Sequence, residues 1–163
     1  MSTKSAPDIT EIEPIASGSI VVGHDGSADA QRSLEQAFEL AEKLNAPLCV
    51  VRTWSIDTAP HGSLVDFGIV SSFAHVSEKV RGILEAESKA AADAHPSVEV
   101  AYRAAFGHPA EILLALSRDA RMLVVGSRGL GGFRSLMLGS VSEQCVRHAE
   151  CPVLIVRPKK AHH

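Results

Sequence analysis

The sequence predicts a single α/β domain in which helices cover both faces of a doubly wound parallel sheet. Short apolar runs alternate along the chain with longer segments whose apolar residues recur at helical spacing. Two of the runs, 122–126 and 153–156, are apolar throughout, which is typical of strands that are buried on both faces. Strands that alternate with helices favour a parallel sheet. With 163 residues, of which 45% are hydrophobic, the chain has the length and apolar content of one such domain.

In the first half of the chain, two strands are each followed by a helix. Residues 19–23 form a short β-rich run, and residues 28–44 carry apolar side chains at helical spacing. The same two patterns recur over 48–54 and 76–94, which predict the second strand and the second helix. The segment between them, 55–74, contains proline and glycine and is predicted to be a long loop.

The second half repeats this order of elements. Residues 98–106 alternate in polarity and predict the third strand, and a helix is predicted to begin at Pro109 and to end near Arg118. Residues 122–126 predict the fourth strand. A glycine-rich loop follows, then a helix that opens at Gly139 and Ser140, and residues 153–156 form the last strand.

Composition excludes several classes of function. The formal net charge of −3 gives no basic face for nucleic acid, and no apolar run approaches the roughly 20 residues that cross a bilayer. The three cysteines are irregularly spaced and predict no disulfide framework, and residues 1–14 lack the apolar core of a signal peptide. We therefore expect a soluble cytoplasmic protein with a mobile leader over 1–18, a folded domain over 19–158 and a short tail over 159–163.

The segment 124–141, VVGSRGLGGFRSLMLGSV, predicts a site for a phosphorylated ligand. Its glycines allow the backbone to approach a ligand closely, and the N-terminus of the following helix favours an anion. Arg128 and Arg134 add positive charge. The segment contains no lysine, which excludes a Walker A loop, and Arg134 stands where a dinucleotide fingerprint needs a third small residue.

The spacing Gly126, two residues, Gly129, nine residues, Gly139-Ser140 resembles the nucleotide-binding signature of the universal stress protein family. Three more segments resemble that family in the same order: the Asp25-Gly26-Ser27 turn, 106–112 and 151–158. His24 departs from the pattern, since many relatives carry an apolar residue there. The resemblance implies a five-stranded parallel sheet of order 3-2-1-4-5 with about four helices, of the adenine nucleotide alpha hydrolase-like type.

The resemblance also implies a ligand, ATP with or without Mg²⁺, at the carboxyl ends of the first and fourth strands. Asp25 is then expected to contact the adenosine end and Val51 the base, while the glycine loop holds ribose and phosphates. The full set of implied nucleotide-binding residues is Asp25, Gly26, Ser27, Val51, Gly126, Ser127, Arg128, Gly129, Gly131, Gly132, Gly139, Ser140, Val141 and Ser142.

Each of these residues also has a purely structural interpretation. Ser140 and Glu143 have the spacing of a capping box, and Ser27 can be the N-cap of the first helix. The two loop arginines can be solvated, and Val51 can be a core residue. His108, at the start of the third helix, suits a capping or solvent role.

Cys145, His148 and Cys151 are spaced three residues apart, as metal ligands sometimes are. A structural zinc site needs four ligands, and no second pair stands nearby in sequence. We therefore expect no metal bound by these three residues and interpret both cysteines as small core residues.

The sequence contains no set of residues for a dedicated ATPase, so no catalytic residue is assigned. The leading hypothesis is an ATP-binding regulatory or stress-response module that hydrolyses ATP slowly and acts on an unidentified protein partner. A weak ATPase or autophosphorylating protein is the alternative, and a nucleotide-free dimeric assembly module is a third. The resemblance places Val153, Leu154, Ile155 and Val156 in an open edge strand, which predicts a homodimer through that strand.

Overall fold

The computed structural model describes residues 12–60, 69–129 and 137–159, with the side chains of 69–72 left out. Strands and helices alternate along the chain. The strands are β1 (Ile20–Gly23), β2 (Leu48–Trp54), β3 (Val100–Phe106), β4 (Met122–Gly126) and β5 (Val153–Val156), and the helices are α1 (Ala28–Leu44), α2 (Ile69–Ala94), α3 (Pro109–Ser117) and α4 (Ser140–His148).

The five strands form one parallel sheet in the order β3-β2-β1-β4-β5. In the centre of the sheet, Val21 lies between Cys49 of β2 and Leu123 of β4. The predicted fold class and strand order are therefore confirmed. None of the helices in the described ranges is long and apolar enough to cross a membrane.

The central strands are buried on both faces, as their apolar sequences predict. Ile20 and Val22 belong to a cluster with Leu34 and Phe38 of α1, on the face that α1 and α2 cover. Val21, between them, belongs to a second cluster with side chains of α3 and with Cys145 of α4. Alternate residues of one strand thus pack against opposite helical layers.

Helix α1 begins and ends where local chemistry dictates. The hydroxyl of Ser27 accepts a hydrogen bond from the backbone N–H of Ala30 at 3.0 Å, which confirms Ser27 as the N-cap. Asn45 ends the helix with a left-handed backbone at φ 51° and donates its N–H to carbonyls of the last turn.

Helix α2 begins at Ile69, whereas the sequence pattern predicted a start at residue 76. The difference has a tertiary cause. Phe73 packs on Trp54 with ring centroids 5.5 Å apart and on Phe106 at 4.8 Å, so contacts with β2 and β3 support an earlier turn of helix. The predicted loop is accordingly shorter, and its residues 61–68 lie outside the described part of the chain.

The two edge strands are only half buried. Every residue of β5 keeps partial solvent exposure, although its unbroken apolar sequence predicted burial on both faces. Both faces are nonetheless packed, since Leu154 and Val156 contact one core cluster and Val153 and Ile155 the other. The partial exposure arises because β5 has a neighbouring strand on one side only. Strand β3 occupies the other edge and begins at Val100, two residues later than predicted, because Val98 donates its backbone N–H to His95 in a turn.

Candidate functional site

The candidate site lies at the carboxyl ends of β1 and β4. These two parallel strands are neighbours, and the chain leaves them toward opposite edges of the sheet. Strand order therefore reverses between them, which is where open α/β sheets form a ligand crevice. The Asp25 turn follows β1 and the Gly126 loop follows β4, so the fold brings the two predicted segments to one place.

The turn after β1 has a specific backbone shape. Asp25 Oδ1 accepts a hydrogen bond from the backbone N–H of Ser27 at 2.9 Å. Gly26, between them, has φ 89°, a left-handed conformation that favours glycine. The carboxylate of Asp25 is exposed at the crevice, while Ser27 caps α1. The structural interpretation of Ser27 is therefore confirmed.

A close approach joins the two segments. A Cβ atom added to Gly129 would lie 2.6 Å from Oδ2 of Asp25, well inside van der Waals contact. Only glycine leaves room for the carboxylate at this point. Any larger residue at position 129 would therefore push the Asp25 side chain aside.

The base of the glycine loop forms hydrogen bonds with the start of α4 and packs closely on α1. The carbonyl of Ser127 accepts the N–H of Gly139 at 2.7 Å and the hydroxyl of Ser142 at 3.2 Å. A Cβ on Gly126 would lie 3.2 Å from the carbonyl oxygen of Arg128 and 3.3 Å from Oγ of Ser33. A larger residue at 126 would therefore disturb the packing of the loop on α1.

Helix α4 points its N-terminus at the crevice, and no side chain of the described residues caps it. Gly139 is the N-cap and makes no side-chain cap hydrogen bond. The predicted capping box is wrong: Ser140 lies one residue inside the helix and accepts from Gln144, while Glu143 pairs with Arg147 at 2.9 Å. Helix N–H groups that no side chain caps, together with the positive end of the helix dipole, suit an anionic ligand.

The other predicted site residues are partly buried and partly outside the described part of the chain. Val51, Ser127 and Ser142 are buried, and Val141 is half buried against the cluster beneath α3 and α4, so their side chains pack inside the protein. Nε of Arg128 is buried without a hydrogen-bond partner in the described structure. Gly131, Gly132 and Arg134 lie outside the described residues. His108 is the exposed N-cap residue of α3, and its side chain makes no cap.

Comparison with known proteins shows the family of this chain. A model of the universal stress protein family matches residues 17–157. The chain belongs to the universal stress protein family. It is 34% identical over 148 residues to universal stress protein YxiE of Bacillus subtilis, which covers 85% of this chain and 97% of that protein.

A universal stress protein of Mycolicibacterium smegmatis is 31% identical over 140 residues, covering 86% of this chain and 46% of the relative. The chain spans less than half the length of such mycobacterial relatives. Among solved structures, a universal stress protein in complex with cAMP is 28% identical, with a TM-score of 0.62 over 87% of this chain and 98% of that one. UspA from Lactobacillus plantarum, 19% identical, shares the fold with a TM-score of 0.68 over 88% and 99% of the two chains.

Three residues beside the site of this universal stress protein were not among its predicted residues: His24, noted only as a departure from the family pattern, Arg52 and Glu87. Arg52 Nη2 lies 2.5 Å from Nδ1 of His24 and donates to the Glu87 carboxylate at 2.5 Å. Burial lowers the pKa of His24 below its ordinary value, and the positive charge of Arg52 lowers it further. The available signal was an arginine within an otherwise mostly apolar strand, LCVVRTW.

The cysteines have packing roles in this universal stress protein. Cys145 is fully buried and Cys151 half buried, and both pack in the cluster beneath α3 and α4, as predicted. Burial raises the pKa of the Cys145 thiol to about 11. Within the described residues, no group of three or more His, Cys, Asp or Glu side chains could hold a metal ion.

A groove of about 1250 Å³ lies elsewhere, along α2 and β3. Residues that line it include Arg81, Lys89 and Tyr102, and none of its lining residues belongs to the predicted nucleotide site. This groove is therefore separate from the candidate site, whose described part is defined by the backbone shape of its two segments.

Proposed function

We propose that this universal stress protein binds an adenine nucleotide, specifically ATP with or without Mg²⁺, in the crevice between β1 and β4. The observation that carries the proposal is the approach of the Asp25 carboxylate to Gly129, where a Cβ would meet it at 2.6 Å. Asp25 faces the nucleoside. The phosphates lie at the N-terminus of α4, near Gly139 and Ser140, where no side chain of the described residues caps the first N–H groups of the helix.

Similarity supports the class of ligand. The structural neighbour that is 28% identical holds cAMP, which is an adenine nucleotide. Arg128 adds a buried Nε donor without a partner in the described structure, and a phosphate oxygen would satisfy it. We assign ATP because the signature glycines, Gly126, Gly129 and Gly139, stand at the family spacing.

The proposed role is regulatory. No lysine or Walker B aspartate stands among the described residues of the crevice, so hydrolysis is expected to be slow. Nucleotide binding instead stabilises one conformation, which an unidentified protein partner reads. All three cysteines are free thiols, which suits a reducing cytoplasm.

The test is a calorimetric titration of the protein with ATP, ADP, cAMP and adenosine, using two matched variants. Ser140 is exposed at the first position of α4, where Ser140→Glu favours the helix dipole but repels phosphates. Ser97→Glu makes the same change at an exposed residue before β3, at the opposite end of the sheet.

We expect Ser140→Glu to weaken ATP binding by about tenfold and adenosine binding by less than about twofold. Ser97→Glu should bind ATP as the wild type does. Equal losses in the two variants would show that the phosphates lie elsewhere, and a wild type that binds none of the four ligands would overturn the proposal. Phosphate release measured in the same samples tests for slow hydrolysis.

We also propose that the protein forms a homodimer through β5. The strand lies at the sheet edge, and Val153, Leu154, Ile155 and Val156 each remain half exposed. An apolar edge with open backbone hydrogen-bonding groups favours pairing with a second copy of the chain.

A further inference from the structure

We propose that His24 and Arg52 are positioning residues for nucleotide binding, which hold the Asp25-Gly26-Ser27 turn from inside the fold and release it when His24 takes up a proton. This inference rests on the proposed nucleotide site. It adds a means by which acidity regulates that site.

His24 is fixed at both its backbone and its ring. Its side chain is buried, and its backbone N–H donates to Val51 at 2.9 Å. Nδ1 accepts a hydrogen bond from the backbone N–H of Gly26 at 3.2 Å, and Nε2 lies 3.4 Å from Oε1 of Gln31. Because an amide oxygen only accepts, the proton of the neutral ring belongs on Nε2, which leaves Nδ1 as the acceptor.

Arg52 completes the support from β2. Its Nε donates to the carbonyl of His24 at 3.2 Å, and its Nη2 donates to Nδ1 of the same residue. The second Nη2 hydrogen is directed to Glu87 of α2, whose carboxylate balances the guanidinium charge. A Cβ on Gly26 would lie 3.7 Å from Nη2, so Arg52 also limits the space under the turn.

Proton uptake at Nδ1 would remove the acceptor for both donors. The N–H of Gly26 would lose its partner, and the imidazolium would face the Arg52 guanidinium in a buried place. The charged and polar groups around the ring are Arg52 from β2, Glu87 from α2, Gln31 from α1 and Asp25 from the turn itself. Glu87, whose carboxylate lies 4.0 Å from Nδ1, and Asp25 would attract the new proton, but burial and the Arg52 charge outweigh them.

Gly26 lies between Asp25 and Ser27, so loss of its hydrogen bond acts directly on the proposed nucleoside contact. The neutral ring therefore favours the binding conformation, and the protonated ring disfavours it. Burial and the charge of Arg52 lower the pKa of His24, so the neutral form prevails at pH 7 and above.

The experiment measures ATP affinity by calorimetry from pH 8 down to pH 4.5 in the wild type and in His24→Asn. Asparagine can present its amide oxygen near the position of Nδ1 but does not titrate. The ratio of the two dissociation constants at each pH cancels the protonation of ATP itself. Nitrogen chemical shifts of the His24 ring, measured without ATP, report its tautomer and its titration midpoint.

Near neutral pH, we expect the ratio of the two dissociation constants to stay constant. Below the measured titration midpoint of His24, the ATP affinity of the wild type should fall about tenfold per pH unit relative to that of His24→Asn. A second variant, Arg52→Met, should raise that midpoint and move the loss of affinity to higher pH. A ratio that stays flat through the midpoint, or a ring proton found on Nδ1, would overturn the inference. A wild type that binds no ATP at any pH would instead overturn the proposed function itself, and this inference with it.

Discussion

Gly129→Ala tests whether the contact between the two segments of the site matters for binding. The added Cβ would lie 2.6 Å from Oδ2 of Asp25, about 0.8 Å short of an ordinary contact of about 3.4 Å. The backbone of Gly129 is not left-handed, so alanine causes no conformational strain there. The exposed Asp25 carboxylate must therefore move, and with it the proposed contact to the nucleoside.

The size of the effect follows from what is lost. A hydrogen bond to a charged group contributes about 1.5–3 kcal/mol, which corresponds to a loss of affinity of roughly ten- to over a hundredfold. Folding should change by about 1 kcal/mol, because Asp25 is exposed and a hydrogen bond such as the one from Ser27 contributes about that much. Calorimetry with ATP gives the affinity, and urea denaturation gives the free energy of unfolding.

A double-mutant cycle with Asp25→Ala decides between a local and a general effect. Once the carboxylate is gone, Gly129→Ala has nothing to displace and should change ATP affinity by less than about twofold. Gly82→Ala is the matched control, because it makes the same change in α2, where no atom lies within 4 Å of the new Cβ and no predicted site residue stands. Gly129→Ala could bind ATP as tightly as the wild type, or it could lose as much ATP affinity with Asp25→Ala as without it. Either result would show that the alanine does not act by displacing the Asp25 carboxylate.

Four further predictions follow from the same structure. Gly82→Ala, at an exposed position of α2 with no atom within 4 Å of the new Cβ, should raise the free energy of unfolding by about 1 kcal/mol, measured by urea denaturation. Leu154→Lys should give a monomer in light scattering at micromolar concentration where the wild type gives a dimer, and a monomeric wild type would contradict β5 pairing. With a thiol reagent at pH 8, Cys151 should react before the buried Cys145, whose pKa is about 11; the reverse order in peptide mapping would contradict their burial. Because the folded state lowers the pKa of His24, the unfolded state binds its proton first, so stability should fall as pH drops below about 6.5 and fall less in His24→Asn.

Much of the fold could be predicted because its causes are local. Unbroken apolar runs such as that of β4 predicted strands between two helical layers, and helical periodicity gave α1 with its bounds. The N-cap at Ser27 was also readable, since it depends on residues three apart. The start of α2 was missed because Phe73 is held by rings from β2 and β3, which are distant in sequence.

The candidate site shows the same division. The glycine spacing predicted which segments form it, but the capping box at Ser140 failed because the helix begins one residue earlier than that motif requires. The network of His24, Arg52 and Glu87 joins a turn, a strand and a helix. Arg52 is 28 residues from His24 and 35 residues from Glu87 in the sequence, so no local pattern predicts that they meet.

By itself, the sequence determined the order of the elements, the burial of the central strands on both faces and the family signature. These features depend on periodicity and glycine spacing, which are patterns of residues close together in the sequence. Only the tertiary structure decided that the Asp25 carboxylate lies against Gly129 and that Arg52 reaches His24. Those contacts depend on how neighbouring strands end and how α2 packs beside them. Such positions are set by the packing of the whole core to within an ångström, which residue spacing alone does not encode.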